Sequence, residues 1–174
     1  IPLQEVYTNS SLVLDGSANV GKASALGTII TRNNGYANLM YANQAISLGG
    51  GAVPIANSRS NITITNWAIH GELHAGGNVS IASPVQKVRA KGNVQQTQWA
   101  DARDIETEGD MTCPSDSWSM FDRIRAAVST TNCPTSGDIQ AGATVNVAVM
   151  DELTPFEQVK PRIDAWAVKG EANY

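Results

Sequence analysis

The sequence holds two histidines, and both fall in His70-Gly71-Glu72-Leu73-His74, beside a carboxylate. Imidazole with carboxylate is metal-ligand chemistry, and strand alternation would put His70, Glu72 and His74 on one face. At about 3.3 Å per residue, however, His70 and His74 stand roughly 13 Å apart on a straight strand, too far to share an ion held at about 2 Å from each. Only a bend at Gly71 would join them, so a solvated strand face is expected, with no metal and no cofactor. A second candidate chemistry is carboxylate catalysis by the dense acids Asp101, Asp104, Glu106, Glu108 and Asp110. Glycoside hydrolysis needs two acids across a cleft with separated pKa values, and three of these acids have cationic partners in the stacking described next. There is no Gly-x-Ser-x-Gly elbow, and Gly49-Gly50-Gly51 lacks the Lys-Ser/Thr that follows in a phosphate-binding loop. The expectation is a chain without catalytic residues.

The elements carrying these side chains are repeats. Leu73-His-Ala75-Gly-Gly77-Asn78-Val79, Val88-Arg-Ala90-Lys-Gly92-Asn93-Val94 and Ile105-Glu-Thr107-Glu-Gly109-Asp110-Met111 share the order aliphatic, x, small, x, Gly, Asn or Asp, aliphatic. A weaker copy begins at Ile139. Alternation makes each copy a short strand, and Gly-Asn or Gly-Asp makes a bend, with Gly supplying backbone freedom and Asn tolerating the left-handed region. One strand and one bend cannot bury their own inner face, whereas stacked copies can. Stacking sets Lys87, Arg89 and Lys91 against Asp104, Glu106 and Glu108, and Glu72 of the first copy against Lys87. Opposite charges side by side stabilise neighbouring strands, and a one-residue slip would turn charges into the core. A short parallel β-solenoid-like stack is therefore expected, with an antiparallel β-sandwich as the alternative.

Cys113 and Cys133, each followed by Pro, bound a segment patterned as an amphipathic helix, with Asp116 or Ser117 as N-cap and Trp118, Phe121, Ile124 and Val128 at helical spacing. A disulfide across it closes a loop of about 20 residues, worth roughly 3 kcal/mol, and places the chain in an oxidising compartment. Residues 1–60 read as short strands with wide loops, and Thr154-Pro155-Phe156-Glu157 has the form of a capping box cut short by Pro161. Ile163, Trp166, Ala167 and Gly170 could add a further turn or two. The four tryptophans read as core or edge anchors. Three glycosylation sequons, at Asn9, Asn61 and Asn78, are no more than the composition produces by chance.

The 174 residues suit a single β-rich domain, 1–174, with its repeat core over about 62–147. A net charge of -4 with no basic block argues against nucleic acid. No apolar run is long enough to span a membrane, and a start at Ile1 reads as a processed or excised soluble chain.

The run from Gly71 to Gln95, GELHAGGNVSIASPVQKVRAKGNVQ, resembles the GNV-containing short solenoid repeats of bacterial surface proteins related to type IV pilus assembly, the PilX-type minor pilin group, and more loosely those of polymer-forming bactofilins. The resemblance covers about residues 62–112 and implies a noncatalytic, assembling surface protein. The functional expectation is an extracellular or cell-surface structural or adhesive subunit, of a pilus or other filament, whose partners are other subunits or further copies of itself. A carbohydrate-binding or polysaccharide-cleaving β-helix is the competing class, with a surface glycan as partner; an acidic groove lined by exposed Trp would favour it.

Overall fold

The computed structural model describes residues 3–115, 118–135 and 137–155, and every regular element in them is a strand. Nine strands form one sheet in chain order: β1 (Leu3–Thr8), β3 (Asn19–Ala25), β5 (Tyr36–Ala42), β7 (Ile55–Ser58), β9 (His70–Ala75), β11 (Val85–Ala90), β13 (Ala102–Thr107), β15 (Arg123–Ala126) and β17 (Asp138–Ala141). Eight shorter strands form the other: β2 (Leu12–Leu14), β4 (Ile29–Arg32), β6 (Ile46–Gly49), β8 (Ile62–Ile64), β10 (Val79–Ile81), β12 (Val94–Gln96), β14 (Met111–Thr112) and β16 (Thr130–Thr131). All pairings are parallel and join each strand to its counterpart one turn away. The chain is thus a parallel β-solenoid of eight two-strand turns closed by β17, and the antiparallel alternative falls away.

Each turn repeats one burial pattern. In β11 the inward residues are Val85, Val88 and Ala90, and in β13 they are Ala102, Ile105 and Thr107. In β3, β5, β9, β11 and β13 two consecutive residues near the strand start face outward, so simple alternation breaks there. The short strands add inward pairs such as Ile46 with Leu48 and Ile62 with Ile64. Stacked in register, these positions become continuous columns, one of them Ala23, Met40, Ala56, Leu73, Val88, Ile105 and Ile124. All seven are fully buried. Each large aliphatic side chain so placed stabilises by roughly 1.5–3 kcal/mol relative to exposure. Where the long strand ends and the chain turns, the column is small: Ala25, Ala42, Ser58, Ala75, Ala90, Thr107 and Ala126.

Three expectations are corrected. The segment between the cysteines is a further turn rather than a helix: Ile124 occupies the core column, while Trp118 and Val128 are exposed. Its apolar spacing mimicked a helix because strand and loop residues alternate there by chance; the N-cap candidates Asp116 and Ser117 lie outside the described residues. The repeat is not confined to about 62–147, because β1 to β8 build the same turns from residues 3–64 without the Gly-Asn signature throughout. The copy at Ile139 is real, but its 34-residue offset from Ile105 divides into turns of 19 and 15 through Ile124. Phe156 and Glu157 of the capping-box reading, Pro161, Ile163, Trp166, Ala167 and Gly170 lie outside the described residues.

The Gly-Asn bends are the edge of the solenoid after each long strand. Asn61 Oδ1 accepts the backbone N–H of Asn78 at 2.8 Å, Asn78 Oδ1 that of Asn93 at 2.8 Å, and Asn93 Oδ1 that of Asp110 at 3.0 Å. Ser11 Oγ does the same for Thr28 at 3.1 Å. This ladder explains the preceding glycine. A Cβ on Gly77, Gly92 or Gly109 would overlap the ladder oxygen of the turn before: Asn61, Asn78 or Asn93 respectively. None of these three glycines has positive φ, so close approach, not left-handed backbone, is what selects glycine.

After β17 the chain doubles back along this edge. Glu108 Oε1 accepts the Val147 N–H at 2.8 Å, Arg59 pairs with Glu152 at 2.9 Å, Asn43 exchanges two hydrogen bonds with the backbone of Leu153, and the Tyr7 hydroxyl donates to Thr154 O. Contacts fall on successively earlier turns, so residues 147–154 form an extended strap spanning the stack. It fastens turns that otherwise touch only their neighbours.

Candidate functional site

Strand register decides what the outward charges do. On the nine-stranded sheet one outward column runs Glu72, Lys87, Asp104, Arg123 and Asp138, alternating in sign at every turn. The adjacent column runs His74, Arg89, Glu106, Arg125 and Gln140. In a parallel in-register stack equal charges would face one another, so alternation is what permits charge on this face. The predicted pairings of Lys87 with Asp104, Arg89 with Glu106 and Lys87 with Glu72 are all direct neighbours. The ion pairs themselves run partly on the diagonal: Arg89 reaches Asp104 at 2.7 Å and Glu106 at 3.1 Å, and Lys87 reaches Glu72 at 3.3 Å.

Arg123 closes the network on Asp104 at 2.9 Å and Glu106 at 2.5 Å, and Arg125 binds Asp138 at 2.6 Å. These two arginines were hidden by the helical reading of their segment. The third expected step does not form. Lys91 and Glu108 lie past the strand ends, Lys91 is exposed with no ion pair among the described residues, and Glu108 holds the strap instead. Burial would raise the pKa of Asp104, but hydrogen bonds and charge from Arg123 and Arg89 outweigh it and hold the carboxyl below its ordinary value. Glu72 is likewise held low, first by its hydrogen bond to His74 and then by Lys87. Both shifts run opposite to the raised pKa that a general acid requires.

The metal candidates do not converge. His70 occupies an inward position and is fully buried, in the same column as Val53 and Val85, while Glu72 and His74 face outward and pair at 3.2 Å. The break in alternation between Gly71 and Glu72 separates them. Among the described residues no group of three His, Cys, Asp or Glu could hold an ion. His70 Nδ1 accepts the Val53 N–H at 3.3 Å, and burial pushes its pKa down to about 4.

Cys113 and Cys133 form a disulfide with 4.9 Å between their Cα atoms. It joins the end of β14 to the loop after β16, one turn on. Beside it lies a groove of about 670 Å³ lined by Gln95, Gln96, Thr97, Gln98, Trp99 and the Thr112–Ser115 segment. Among the described residues no charged side chain lines it. Trp99 leans on Trp67 with ring centroids 5.2 Å apart and planes tilted by 50°. Trp67 is 56% exposed, Trp99 58% and Trp118 77%, which removes the core half of the expectation that they are core or edge anchors. All sit in loops that follow short strands, on the edge opposite the asparagine ladder.

Gln96 takes an inward position at the end of β12. Its Nε2 donates to the carbonyls of Gln98 and Ala100, at 3.1 and 2.7 Å, and to Ser119 Oγ at 3.1 Å. Carbonyls accept only, which fixes the amide orientation; Oε1 is buried without a partner among the described residues. Nothing in the Gln95–Gln98 sequence marks it as a binding surface. The groove forms only in the folded edge, where loops from different turns stack. No family model, curated protein or solved structure matches the chain.

Proposed function

We propose that the chain is a noncatalytic structural or adhesive module of an extracellular surface. The observation that carries this reading is the commitment of the outward carboxylates. Asp104 and Glu106 are each shared by two arginines, Glu72 binds Lys87 and His74, and Asp138 binds Arg125, so these four outward acids build the stack. A polysaccharide-cleaving site would need one acid kept protonated beside an anion. The disulfide supports an oxidising compartment, and no helix of the described residues is long and apolar enough to cross a membrane.

The ends of the stack bear on its partners. β1 and β17 each leave one edge unpaired by any other described strand, which suits β-addition by a neighbour. Glu5 and Asp138 lie in the same outward column at opposite ends. An in-register stack of identical copies would set these carboxylates side by side, so the geometry favours a different subunit over indefinite self-stacking.

The test combines turnover and thiol labelling. Purified protein incubated with neutral and acidic polysaccharides should release no reducing ends, and both cysteines should resist maleimide in native cell extracts until reduced. Sustained release that Asp104→Asn or Glu106→Gln abolishes without unfolding would overturn the noncatalytic reading. Labelling without reductant would overturn the extracellular one.

A further inference from the structure

We propose that the Trp67–Trp99 ledge and the adjoining groove bind a neutral oligosaccharide. The proposal rests on the adhesive reading above and names its ligand class.

Exposure comes first. Two large aromatic rings more than half open to solvent forfeit burial that the core could have given them. They are carried by loops two turns apart, Thr65–Ile69 and Thr97–Asp101. The connection between them, Ala82-Ser83-Pro84, is only three residues long and leaves room for the indoles to meet above it. Both loops are anchored: Thr65 N–H donates to Leu48 O at 2.9 Å, Thr97 N–H to Ile81 O at 2.8 Å, and Asn66 Nδ2 to Gly50 O. The ledge is therefore held by strands, with the disulfide fixing the groove's far wall at Cys113.

The chemistry of the lining then selects the ligand. The groove offers amides and hydroxyls from Gln95, Thr97, Gln98 and Ser115 beside Trp99, with no cation and no anion among the described residues. A nucleotide or sulfated chain would find no counter-charge there. An apolar peptide would leave the amides without partners, at a cost. A neutral sugar matches both parts, since its C–H faces stack on indole and its ring of hydroxyls both donates to and accepts from amides. Gln96 braces the groove from inside: the residue is 2% exposed, its nitrogen is engaged by Gln98 O, Ala100 O and Ser119 Oγ, and its oxygen is buried without a donor among the described residues. Placed on the edge opposite the strap, the ledge is open along the stack, which suits a chain of sugars.

The experiment titrates the intact 174-residue protein, disulfide formed, with cellohexaose, laminarihexaose and chitohexaose, following tryptophan emission and calorimetric heat. A heparin-derived hexasaccharide serves as the charged comparison. At least one neutral hexaose should saturate below about 10 mM, with a blue shift of the emission. Trp99→Ala and Trp67→Ala should each weaken binding by about tenfold or more, while Trp99→Phe, which keeps an aromatic face, should lose less. Gln98→Ala, exposed and outside the core, should weaken binding with an unchanged melting curve, which keeps the test decisive if a tryptophan variant is unstable. No binding by any neutral hexaose, binding indifferent to Trp67 and Trp99, or binding of the heparin fragment alone would each overturn the proposal. Those outcomes leave the noncatalytic reading standing; hydrolysis of a bound hexaose would sink that reading while leaving the binding site intact.

Discussion

Gly92→Ala isolates the reason for the Gly-Asn repeat. The new Cβ would overlap Asn78 Oδ1 and approach the backbone carbon of Gly77 at 2.8 Å and the backbone nitrogen of Asn78 at 3.0 Å. A side-chain oxygen can turn away, at the loss of its hydrogen bond from Asn93 N–H, worth about 1 kcal/mol. The two backbone atoms cannot, and overpacking of this kind costs roughly 1–3 kcal/mol. Reduced freedom of the unfolded chain returns about 0.4–1 kcal/mol. The net loss is about 1–3.5 kcal/mol, or about 2–14 °C in melting temperature for a chain of this size. Ser60 stands in the same column one turn before Gly77, but the turn preceding it offers Ala45 rather than Asn at the ladder position. Ser60→Ala should therefore change stability by no more than about 0.5 kcal/mol. Thermal and urea melts followed by circular dichroism check both. Adding Asn78→Ala to Gly92→Ala should cost little more, because both remove the same hydrogen bond, while the backbone contacts persist. An unchanged or raised melting temperature in Gly92→Ala would refute the close-approach account.

Burial of neutral His70 makes stability depend on pH: the folded group titrates near 4 and the unfolded one near 6.5, so its contribution is complete above 6.5 and falls by up to about 3 kcal/mol as pH drops to 4. His70→Val, which copies Val53 and Val85 in the same column, should flatten that window in urea midpoints, while Asp104, held low by its arginines, adds a further loss below its unfolded pKa near 4 that the variant should retain. Reduction should add the mass of two hydrogens and lower stability by roughly 3 kcal/mol, checked by mass spectrometry and melting; free thiols in the native protein would contradict the bridge. Arg89, 13% exposed and shared by Asp104 and Glu106, should lose about 1–2 kcal/mol on truncation to Ala, whereas Arg103, 45% exposed, should lose under about 0.5, as compared by paired melts at low salt. Asp138→Lys should promote end-to-end association seen by mass photometry, because Lys would then face Glu5 of a second copy, and an unchanged distribution would count against the end-repulsion argument.

The solenoid was legible where sequence signals reinforced one another. Leu73, Val88 and Ile105 align at spacings of 15 and 17, and charge complementarity of Lys87 and Arg89 with Asp104 and Glu106 gave their register, which the pairing reproduces. The first four turns were not legible because their ladder positions hold Ser11, Thr28 and Ala45, so the preceding glycine is kept at Gly27 but replaced by Gln44 and Ser60. A burial column tolerates any small or aliphatic residue, so it leaves little trace without a steric constraint beside it. The turn holding Arg123 was missed for a related reason: an insertion before it makes a 19-residue turn, and Trp118, Phe121 and Val128 then fall at a spacing that imitates a helix. The inward turn of His70 was out of reach of strict alternation, which the two adjacent outward residues Gly71 and Glu72 violate.

The two edges of the stack divide the work of the chain. Along one edge the bends are regular, glycine-limited and tied down by the strap, so a larger loop there would collide with the ladder or with residues 147–154. Along the other, connections range from the three residues between β10 and β11 to the longer segment between β14 and β15, and each insertion can grow outward without disturbing a strand. Loop variation on a rigid scaffold is where binding residues accumulate. The exposed tryptophans follow that division, with Trp67, Trp99 and Trp118 all on the permissive edge. A recognition surface built this way can change its ligand by altering loops while the columns and charge pairs that specify the fold stay as they are.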